Sequence, residues 1–560
     1  MGQWECLSKR PAIITAVSCA VLTGVTVWTA LQKRKAKRKR CCKWPVTPLL
    51  DGGHMCKEAE RLRIVIVGAG YGGTFAAMWL RQRFGARVEV TVIQSGPIGG
   101  RCPEPLQVGT AEQIQEASQA TMPRYECGAA IISELNEYIL DMMKTFNLSQ
   151  KARTFVPMAV WDGSRVLFQE AFMTSAMLSS LVSTIRVLRR YTLSSLLRFK
   201  RSFHSEQGMP DFPHLYQLLQ EGKSFAHPRE MLLALSRGGG SGCLDLTQVS
   251  SKECFARMGI SSLLVNELVQ GGMRSNYGGQ SLSCLHAFVG LISVAGGIAS
   301  TCFRIKGGNA QVAQRALETS EAKVIRGTAR VVKRCLPPAG EDAAHYEVSY
   351  DDATGEWMCH GAAPPEAAAR NLKVMQADVV VLAHHLSAGA LKLQGIDTEV
   401  KPEPLQRCCT HFLRGSLKAE YFGLAPGEPV PLEILTVGET PFYSIGVQAP
   451  VDASKDEMLH MMLDLRAGGV GTFKVFASTE LSERDLSAYF DVVPGTLRVV
   501  DWLGYPAYSS PADFTPFVLA PGLIYLNAVE TMGSALEMSA IAARNALNLV
   551  QEWYPQGCRR

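Results

Sequence analysis

The sequence predicts an α/β fold whose parallel sheet is assembled from distant parts of the chain. A β-branched run at residues 63–67 leads into a glycine-rich turn at 68–73 and then into a helical pattern at 74–84. An apolar run at 88–93 completes a strand–turn–helix–strand unit, which favours parallel strands. A further buried-strand pattern at 378–383 is of the kind that returns to the same sheet.

The turn holds four glycines between a strand and a helix, which is typical of a dinucleotide-binding loop; they are Gly68, Gly70, Gly72 and Gly73. Gly68 permits the tight turn, Gly70 lets the backbone approach a pyrophosphate, and Gly73 permits close packing of helix and strand. The helical pattern follows the turn directly, so the free N–H groups and positive dipole end of the helix face the phosphates, and Tyr71 lies within the turn. All five residues are predicted to bind a dinucleotide cofactor.

Two features beyond the second strand indicate which dinucleotide binds. Gln94 stands where an acid would bind the ribose hydroxyls, and its amide can hydrogen-bond a hydroxyl without charge assistance. Gly99, Gly100 and Arg101 follow, and this Gly-Gly-Arg resembles the one found at this place in FAD enzymes of the glutathione-reductase and amine-oxidase type. FAD is therefore favoured over a nicotinamide cofactor, in a Rossmann-type FAD-binding domain.

The end of the chain contributes further cofactor candidates. A strand pattern at 523–527 leads to Glu530, and Ser534 and Ala535 open the last helix. Glu537, three residues after Ser534, fits a capping box. The positive end of this helix would stabilise an anionic reduced flavin, which makes Glu530, Ser534 and Ala535 predicted cofactor residues. The alternative is an ordinary capped terminal helix.

The catalytic residues stay unknown at this point, with three candidates. Asn276 and Tyr277 end a predicted helix before two glycines, and Tyr505 belongs to an aromatic turn at 502–508. No spacing of histidines or cysteines predicts a metal site, so none is expected. The sixteen cysteines are expected to be reduced and mostly buried.

The positive charge of the chain is concentrated at its start. The net charge is +6, and residues 1–43 alone contain ten Lys/Arg and one Glu. The rest of the chain is nearly neutral, which argues against a nucleic-acid surface.

Residues 11–31 are predicted to be an uncleaved transmembrane anchor. They carry no charge and span about 31 Å as a helix, the hydrocarbon thickness of a bilayer. A cleaved signal peptide is the competing interpretation. A basic run at 33–40 follows the span, and only Lys9 and Arg10 precede it, so the positive-inside rule places the body in the cytosol. The same run would bind anionic headgroups.

The predicted segments alternate between two domains. They are an N-terminal tail (1–10), the anchor (11–31), a basic juxtamembrane linker (32–60), three FAD-binding parts (61–170, 301–400 and 506–552), a helical substrate-binding part (171–300) and a second part of an α+β substrate domain (401–505). Within the helical part, six Lys/Arg lie among apolar residues at 185–201. They fit a helix on a membrane surface near a substrate entrance, or a solvated basic face on a core helix.

Taken together, the motifs resemble the prenylcysteine oxidase family, also called prenylcysteine lyases, over residues 61–552. The most specific are Met-Arg-Ser-Asn-Tyr-Gly at 273–278 and Glu-Met-Ser-Ala-Ile-Ala-Ala-Arg-Asn at 537–545. The others lie at 68–74, 99–101, 125–128, 287–290, 307–309 and 502–508. The sequence departs from the family pattern at Gln94, at Ala129 in place of a glycine, and at 133–134, where Ser-Glu replaces His-Pro.

The resemblance implies FAD-dependent cleavage of S-farnesyl- or S-geranylgeranyl-cysteine by O2, which yields a prenyl aldehyde, cysteine and hydrogen peroxide. This reaction belongs to the degradation of prenylated proteins. It needs no strong general base, but the prenyl chain needs a long apolar cavity, which the helical part would supply. The family is usually lysosomal or secretory, whereas the charges favour a cytosolic body on an endomembrane anchor.

Two alternatives stay open. One is a different flavin oxidase of the amine-oxidase type, acting on an amine or an isoprenoid. The other is a catalytically inert, membrane-bound lipid-binding relative, because Gln94 and Ala129 depart from the cofactor-binding pattern. The oligomeric state is not predicted.

Overall fold

The computed structural model describes residues 44–49, 61–116, 122–152, 156–173, 175–202, 210–236, 240–298, 302–336, 345–352, 372–388, 391–401, 403–425 and 427–555. The predicted anchor at 11–31 and the basic run at 33–40 lie outside these residues. Among the helices that are described, none has the length and apolar character needed to cross a bilayer.

The strands of the described residues are numbered in chain order. They are β1 (Leu62–Val67), β2 (Val88–Gln94), β3 (Leu106–Gln107), β4 (Arg124–Tyr125), β5 (Ile132–Ser133), β6 (Gln150–Ala152), β7 (Met158–Trp161), β8 (Val166–Gln169), β9 (Cys302–Ile305), β10 (Lys323–Arg326), β11 (Thr328–Cys335), β12 (His345–Asp351), β13 (Lys373–Ala377), β14 (Val379–Leu382), β15 (Lys392–Gln394), β16 (Leu405–Leu417), β17 (Glu433–Thr436), β18 (Ser444–Val447), β19 (Gly471–Ala477), β20 (Phe490–Val492), β21 (Arg498–Pro506), β22 (Val518–Ala520) and β23 (Leu523–Tyr525).

The helices are numbered in the same way. They are α1 (Tyr71–Phe84), α2 (Ala111–Glu116), α3 (Glu137–Thr145), α4 (Ala176–Tyr191), α5 (Leu193–Ser202), α6 (Phe212–Gln220), α7 (Pro228–Leu235), α8 (Gly242–Asp245), α9 (Ser251–Arg257), α10 (Ser262–Leu264), α11 (Gln270–Asn276), α12 (Ala287–Ile298), α13 (Ala310–Ser320), α14 (Lys455–Arg466), α15 (Glu483–Leu486) and α16 (Leu536–Trp553). A π-helical turn, Val265–Val269, joins α10 to α11.

The central sheet has six strands in the order β10-β2-β1-β14-β23-β22. All neighbours are parallel except β22 and β23. Helix α1 packs against α13 and α16, and the residues of β1 and β14 are almost all buried, which explains their continuous β-branched runs. The sheet is assembled from three distant parts of the chain, so the predicted α/β class is confirmed.

A second sheet of eight strands lies in the later part of the chain. Its order is β20-β16-β19-β18-β17-β7-β8, with β21 also paired to β16. Most pairs are antiparallel, but β17 runs parallel to β7, which brings a strand from the first 170 residues into this sheet. A four-stranded sheet, β13-β12-β11-β15, and two small sheets complete the structure.

The helical region between β8 and β9 agrees with the sequence pattern, but two local predictions are wrong. The aromatic stretch at 502–508 is not a turn, because residues up to Pro506 belong to β21 and pair with β16. The segment 103–124, expected to be an irregular loop, contains β3 and the short helix α2. The first difference arises because β16, about 90 residues earlier in the chain, pairs with this stretch.

Two of the hydrophobic cores position the site. The largest surrounds the central sheet and includes Phe75 of α1 and Ile541 of α16. A second core joins the helical region to the eight-stranded sheet and contains Tyr191, Tyr277 and Tyr508. The nine cysteines in the described part of the chain are all free thiols, as expected for reduced, mostly buried residues.

Candidate active site

One large cavity runs from the carboxyl ends of the central strands to the eight-stranded sheet. Its volume is about 1110 Å³, which exceeds the roughly 300–1000 Å³ of ordinary small-molecule pockets. Every residue predicted for the cofactor or for catalysis lines it, except Gly73; they are Gly68, Gly70, Tyr71, Gly72, Gln94, Gly99, Gly100, Arg101, Asn276, Tyr277, Tyr505, Glu530, Ser534 and Ala535.

The glycine turn leaves room for a side chain at Gly70 but not at Gly68 or Gly73. A Cβ on Gly73 would lie 2.0 Å from the carbonyl oxygen of Gly68, so a side chain there would separate helix from strand. Gly68 has a φ of +108°, and a Cβ there would meet the carbonyl oxygen of Ala383 at 2.8 Å. Gly70 has only the Gly99 carbonyl oxygen, 3.9 Å away, within reach of a Cβ. The backbone at Gly70 is therefore exposed to the cavity, as the approach of a phosphate requires.

Gln94 uses most of its amide to hold the cavity wall together. Its Oε1 accepts the N–H of Ala69 at 2.5 Å, and its Nε2 donates to the carbonyl oxygens of Gly96 and Pro97 at 2.9 and 2.8 Å. Both amide hydrogens are thus committed to protein, and only the second lone pair of Oε1 is left for a ribose hydroxyl. A carboxylate could not make the two donor contacts, which explains why an amide suits this position.

Replacing Gln94 by Glu is therefore expected to destabilise the protein, although an acid is the usual ribose ligand. The carboxylate would face two carbonyl oxygens without a hydrogen to share, at a cost of about 2 kcal/mol in the free energy of unfolding. Urea unfolding of the variant, with the same change at the exposed Gln394 as a control, measures this. An unchanged unfolding midpoint would contradict the structural role of the amide.

Arg101 and Glu530 form an ion pair on the cavity wall, in which the carboxylate is buried and the guanidinium is partly exposed. An Arg101 Nη2–H donates to Glu530 Oε1, which also accepts from Asn527 Nδ2 at 2.6 Å. The other arm of the guanidinium, Nη1, donates to the carbonyl oxygen of Gly504 at 2.5 Å. The second carboxylate oxygen, Glu530 Oε2, is buried and has no hydrogen-bond partner within the described residues. It fits a hydroxyl donor of a bound molecule, such as that of a flavin's sugar chain.

The start of the last helix differs from the predicted capping box. Helix α16 begins at Leu536 with Ala535 as its N-cap, and no side chain caps it. The backbone N–H of Ser534 donates to the hydroxyl of Tyr508 at 2.9 Å. The first turn of α16 therefore keeps free N–H groups beside the cavity, where a negative group of a bound cofactor would be stabilised.

Glu537 caps a different helix. Its carboxylate accepts the backbone N–H groups of Tyr138 and Ile139, in the first turn of α3, at 2.8 and 3.2 Å. It also accepts the hydroxyl of Tyr216 at 2.7 Å. Burial raises the pKa of Glu537 to about 7, although these three donors act to lower it. The predicted capping box is therefore wrong, because partners distant in sequence compete successfully for the carboxylate.

The three catalytic candidates lie together on the cavity wall. The rings of Tyr277 and Tyr505 meet edge to face with centroids 5.4 Å apart, and Tyr277 contacts Tyr508 in the same way at 5.5 Å. Asn276 Nδ2 donates to Ser293 Oγ at 3.0 Å. Burial raises the pKa of Tyr505 to about 12 and that of Tyr277 further, so both phenols are neutral at pH 7.

Several cavity residues were not predicted from the sequence. His384 and His385 directly follow β14, and burial lowers the pKa of each imidazole to about 4, so both are neutral at pH 7. The rule that ligands bind beyond the carboxyl ends of parallel strands was a signal for them. Lys474 of β19 also lines the cavity, and its Nζ donates to the carbonyl oxygen of Cys127 at 3.0 Å. An inward lysine in a strand carries no comparable sequence signal.

Part of the cavity wall against the eight-stranded sheet is apolar. It is lined by Ile445 and Val447 of β18 and by Met458, Met461 and Met462 of α14. Methionines and branched side chains adapt to an elongated apolar ligand.

One group of possible metal ligands exists in the described part of the chain, formed by Cys335, His345 and Glu347 on neighbouring strands. None of the three lines the cavity. The expected absence of a metal stays a prediction.

Comparison with known proteins identifies the family. A family model described as prenylcysteine lyase matches residues 174–559. Human prenylcysteine oxidase 1 is 26% identical over 505 residues, covering 88% of this chain and 90% of that protein. Human prenylcysteine oxidase 1-like is 26% identical over 518 residues, covering 91% and 94%.

A solved structure shares the fold. Cyclohexylamine oxidase from Brevibacterium oxydans IH-35A aligns with a TM-score of 0.50 at 14% identity, covering 88% of this chain and 100% of that one. The family model matches well over half of the sequence, and the two human relatives align along nearly all of it. The chain therefore belongs to the prenylcysteine lyase family.

Proposed function

We propose that this protein is an FAD-dependent oxidase that cleaves the thioether of S-farnesyl- or S-geranylgeranyl-L-cysteine. The observation that carries the proposal is that one continuous cavity joins the glycine turn at Gly70 to the apolar part of the wall at Met458 and Met462. A dinucleotide and a long apolar substrate need such adjoining compartments. Membership of the prenylcysteine lyase family supports the same substrate class.

The cavity residues fit FAD. The open backbone at Gly70 and the free N–H groups of α1 suit the pyrophosphate, and the unpartnered Glu530 Oε2 suits a hydroxyl of the sugar chain. Arg101 and the first turn of α16 suit the flavin end. FAD, when bound, supplies the two-electron oxidation, so that prenylcysteine, O2 and water give prenyl aldehyde, cysteine and hydrogen peroxide.

The protein's own part in this reaction is to bind, orient and exclude water. Four side chains of the cavity wall carry no charge at pH 7, since Tyr277, Tyr505, His384 and His385 are all neutral there. Lys474 is held against the carbonyl oxygens of residues 126–128. A wall of this kind favours a neutral prenyl chain and leaves the polar cysteine end to groups such as Asn276.

The proposal is tested by the absorption spectrum of the purified, FAD-loaded protein under anaerobic conditions. Adding S-farnesyl-L-cysteine is expected to bleach the flavin stoichiometrically and to release farnesal. S-methyl-L-cysteine, which lacks the allylic carbon, serves as the matched control and should leave the spectrum unchanged.

Two other results would replace the proposal. Bleaching by a primary amine but not by the thioether would favour an oxidase of the amine-oxidase type. A protein that takes up no FAD would favour the inert lipid-binding relative.

We also propose that the body is tethered to an endomembrane through residues 11–31. The charges that flank this span favour a cytosolic body, whereas the family resemblance favours the lysosome or secretory pathway. Protease treatment of sealed membrane vesicles separates the two, because only a cytosolic body is digested without detergent.

A further inference from the structure

Helix α4 is oriented with its small polar residues inward. Ser179 and Ser183 are buried, and their hydroxyl oxygens accept the backbone N–H groups of Met173 and Ala171 at 2.9 and 2.8 Å. These contacts tie one face of the helix to the preceding segment. Met177, Leu178 and Ile185 of α4 are consequently exposed, whereas Tyr191 at the end of the helix is buried in the second core.

The outward face of α4 and α5 is unusually apolar. Met177 is 77% exposed, Ile185 52% and Leu193 55%, and Leu178 and Leu197 are exposed as well. Isolated exposed apolar residues are ordinary, but five on two consecutive helices form a patch. We call these five residues, with the exposed Arg186, Arg189 and Arg198, the α4–α5 face.

The charged residues on and around the α4–α5 face are all basic. Residues 171–205 contain six Lys/Arg and no Asp or Glu. Arg190 is committed to the protein, since it forms a bidentate pair with Glu267 at 2.6 and 2.7 Å. Within the described residues, none of the three arginines of the face forms an ion pair, so their charge is available to an external partner.

We infer that the α4–α5 face docks the protein onto an anionic lipid membrane, with α4 and α5 lying in the headgroup region. Apolar side chains flanked by arginines are what an interfacial helix requires, because the former enter the acyl boundary and the latter bind phosphate headgroups. Residues 11–31 could cover the apolar side chains, but they contain no acid that would pair with the arginines. The inference does not depend on the proposed reaction.

Hydroxyl-radical footprinting of the full-length protein tests this, with Met177 as the reporter. Its oxidation rate is measured without lipid, with phosphatidylcholine vesicles, and with vesicles that also contain phosphatidylserine. The rates are normalised to Val374 and Leu459, which are exposed elsewhere. We expect the anionic vesicles to lower the rate at Met177 about fivefold, and high salt to reverse part of this effect.

The double variant Arg189→Gln/Arg198→Gln separates charge from apolar contact. It is expected to lower the protection of Met177 by anionic vesicles to the level seen with phosphatidylcholine alone. Equal protection by both kinds of vesicle, or none by either, would overturn the inference. Slow oxidation of Met177 in the absence of lipid would also overturn the inference. If that slow rate depends on protein concentration, a second copy of the chain covers the face; if it does not, residues 11–31 cover it.

Discussion

Replacing Gly70 by Ala is expected to leave the protein folded while weakening FAD binding about 10–100-fold, because overpacking a close contact costs about 1–3 kcal/mol. Gly70 has a φ of −72°, which alanine adopts freely, and a Cβ there meets only the Gly99 carbonyl oxygen at 3.9 Å. The added methyl group would therefore not disturb the protein. It would occupy the space through which the backbone approaches a pyrophosphate.

Two neighbouring glycines supply matched controls. Gly73→Ala places a Cβ 2.0 Å from the Gly68 carbonyl oxygen, so this variant is expected to lose folded protein rather than cofactor affinity. Gly272→Ala, in helix α11, meets nothing within 4 Å and should change neither property. The measurements are FAD titration by flavin fluorescence and thermal unfolding of the FAD-free protein. Normal FAD affinity in the Gly70→Ala variant would show that the glycine turn does not contact the cofactor.

Replacing Glu537 by Ala is expected to lower the free energy of unfolding by about 3–5 kcal/mol, because three buried donors lose their acceptor. Two of them are the N–H groups of Tyr138 and Ile139 at the start of α3, and the third is the hydroxyl of Tyr216. Chemical unfolding of the FAD-free protein measures the loss. Glu480→Ala, at an exposed position, is the control and should be nearly neutral.

The same residue predicts how stability depends on pH. The pKa of Glu537 rises from its usual value of 4.5 to about 7 in the folded protein. The folded state therefore holds a proton that the unfolded state has lost, and stability from this residue falls as pH rises from about 5 to 7. The difference in unfolding free energy between wild type and Glu537→Ala should shrink over that range. A difference that is constant or grows would show that the carboxylate is ionised throughout.

The sequence by itself determined the α/β class and most of the cofactor end of the cavity. The glycine turn, the β-branched run of β1 and the helix that follows are local patterns, and their conformations depend on neighbours within about 30 residues. Arg101 and Glu530 were predicted independently from two motifs, and the structure brings them together as an ion pair. Local patterns are sufficient here because parallel strands deliver their carboxyl ends to one edge of a sheet.

Only the tertiary structure decided which partners the polar side chains take. Glu537 caps helix α3, whose first turn is 399 residues away in sequence, and Gln94 ties two loops together. The aromatic stretch that contains Tyr505 became a strand because β16 pairs with it. The serines of α4 accept hydrogen bonds from the preceding segment, and this orientation of the helix leaves Met177 and Ile185 exposed. In each case the local sequence permits several conformations, and a hydrogen bond or a strand pairing selects one of them. The residue that makes this contact is distant in sequence or lies in another element, so only the folded chain brings it into place.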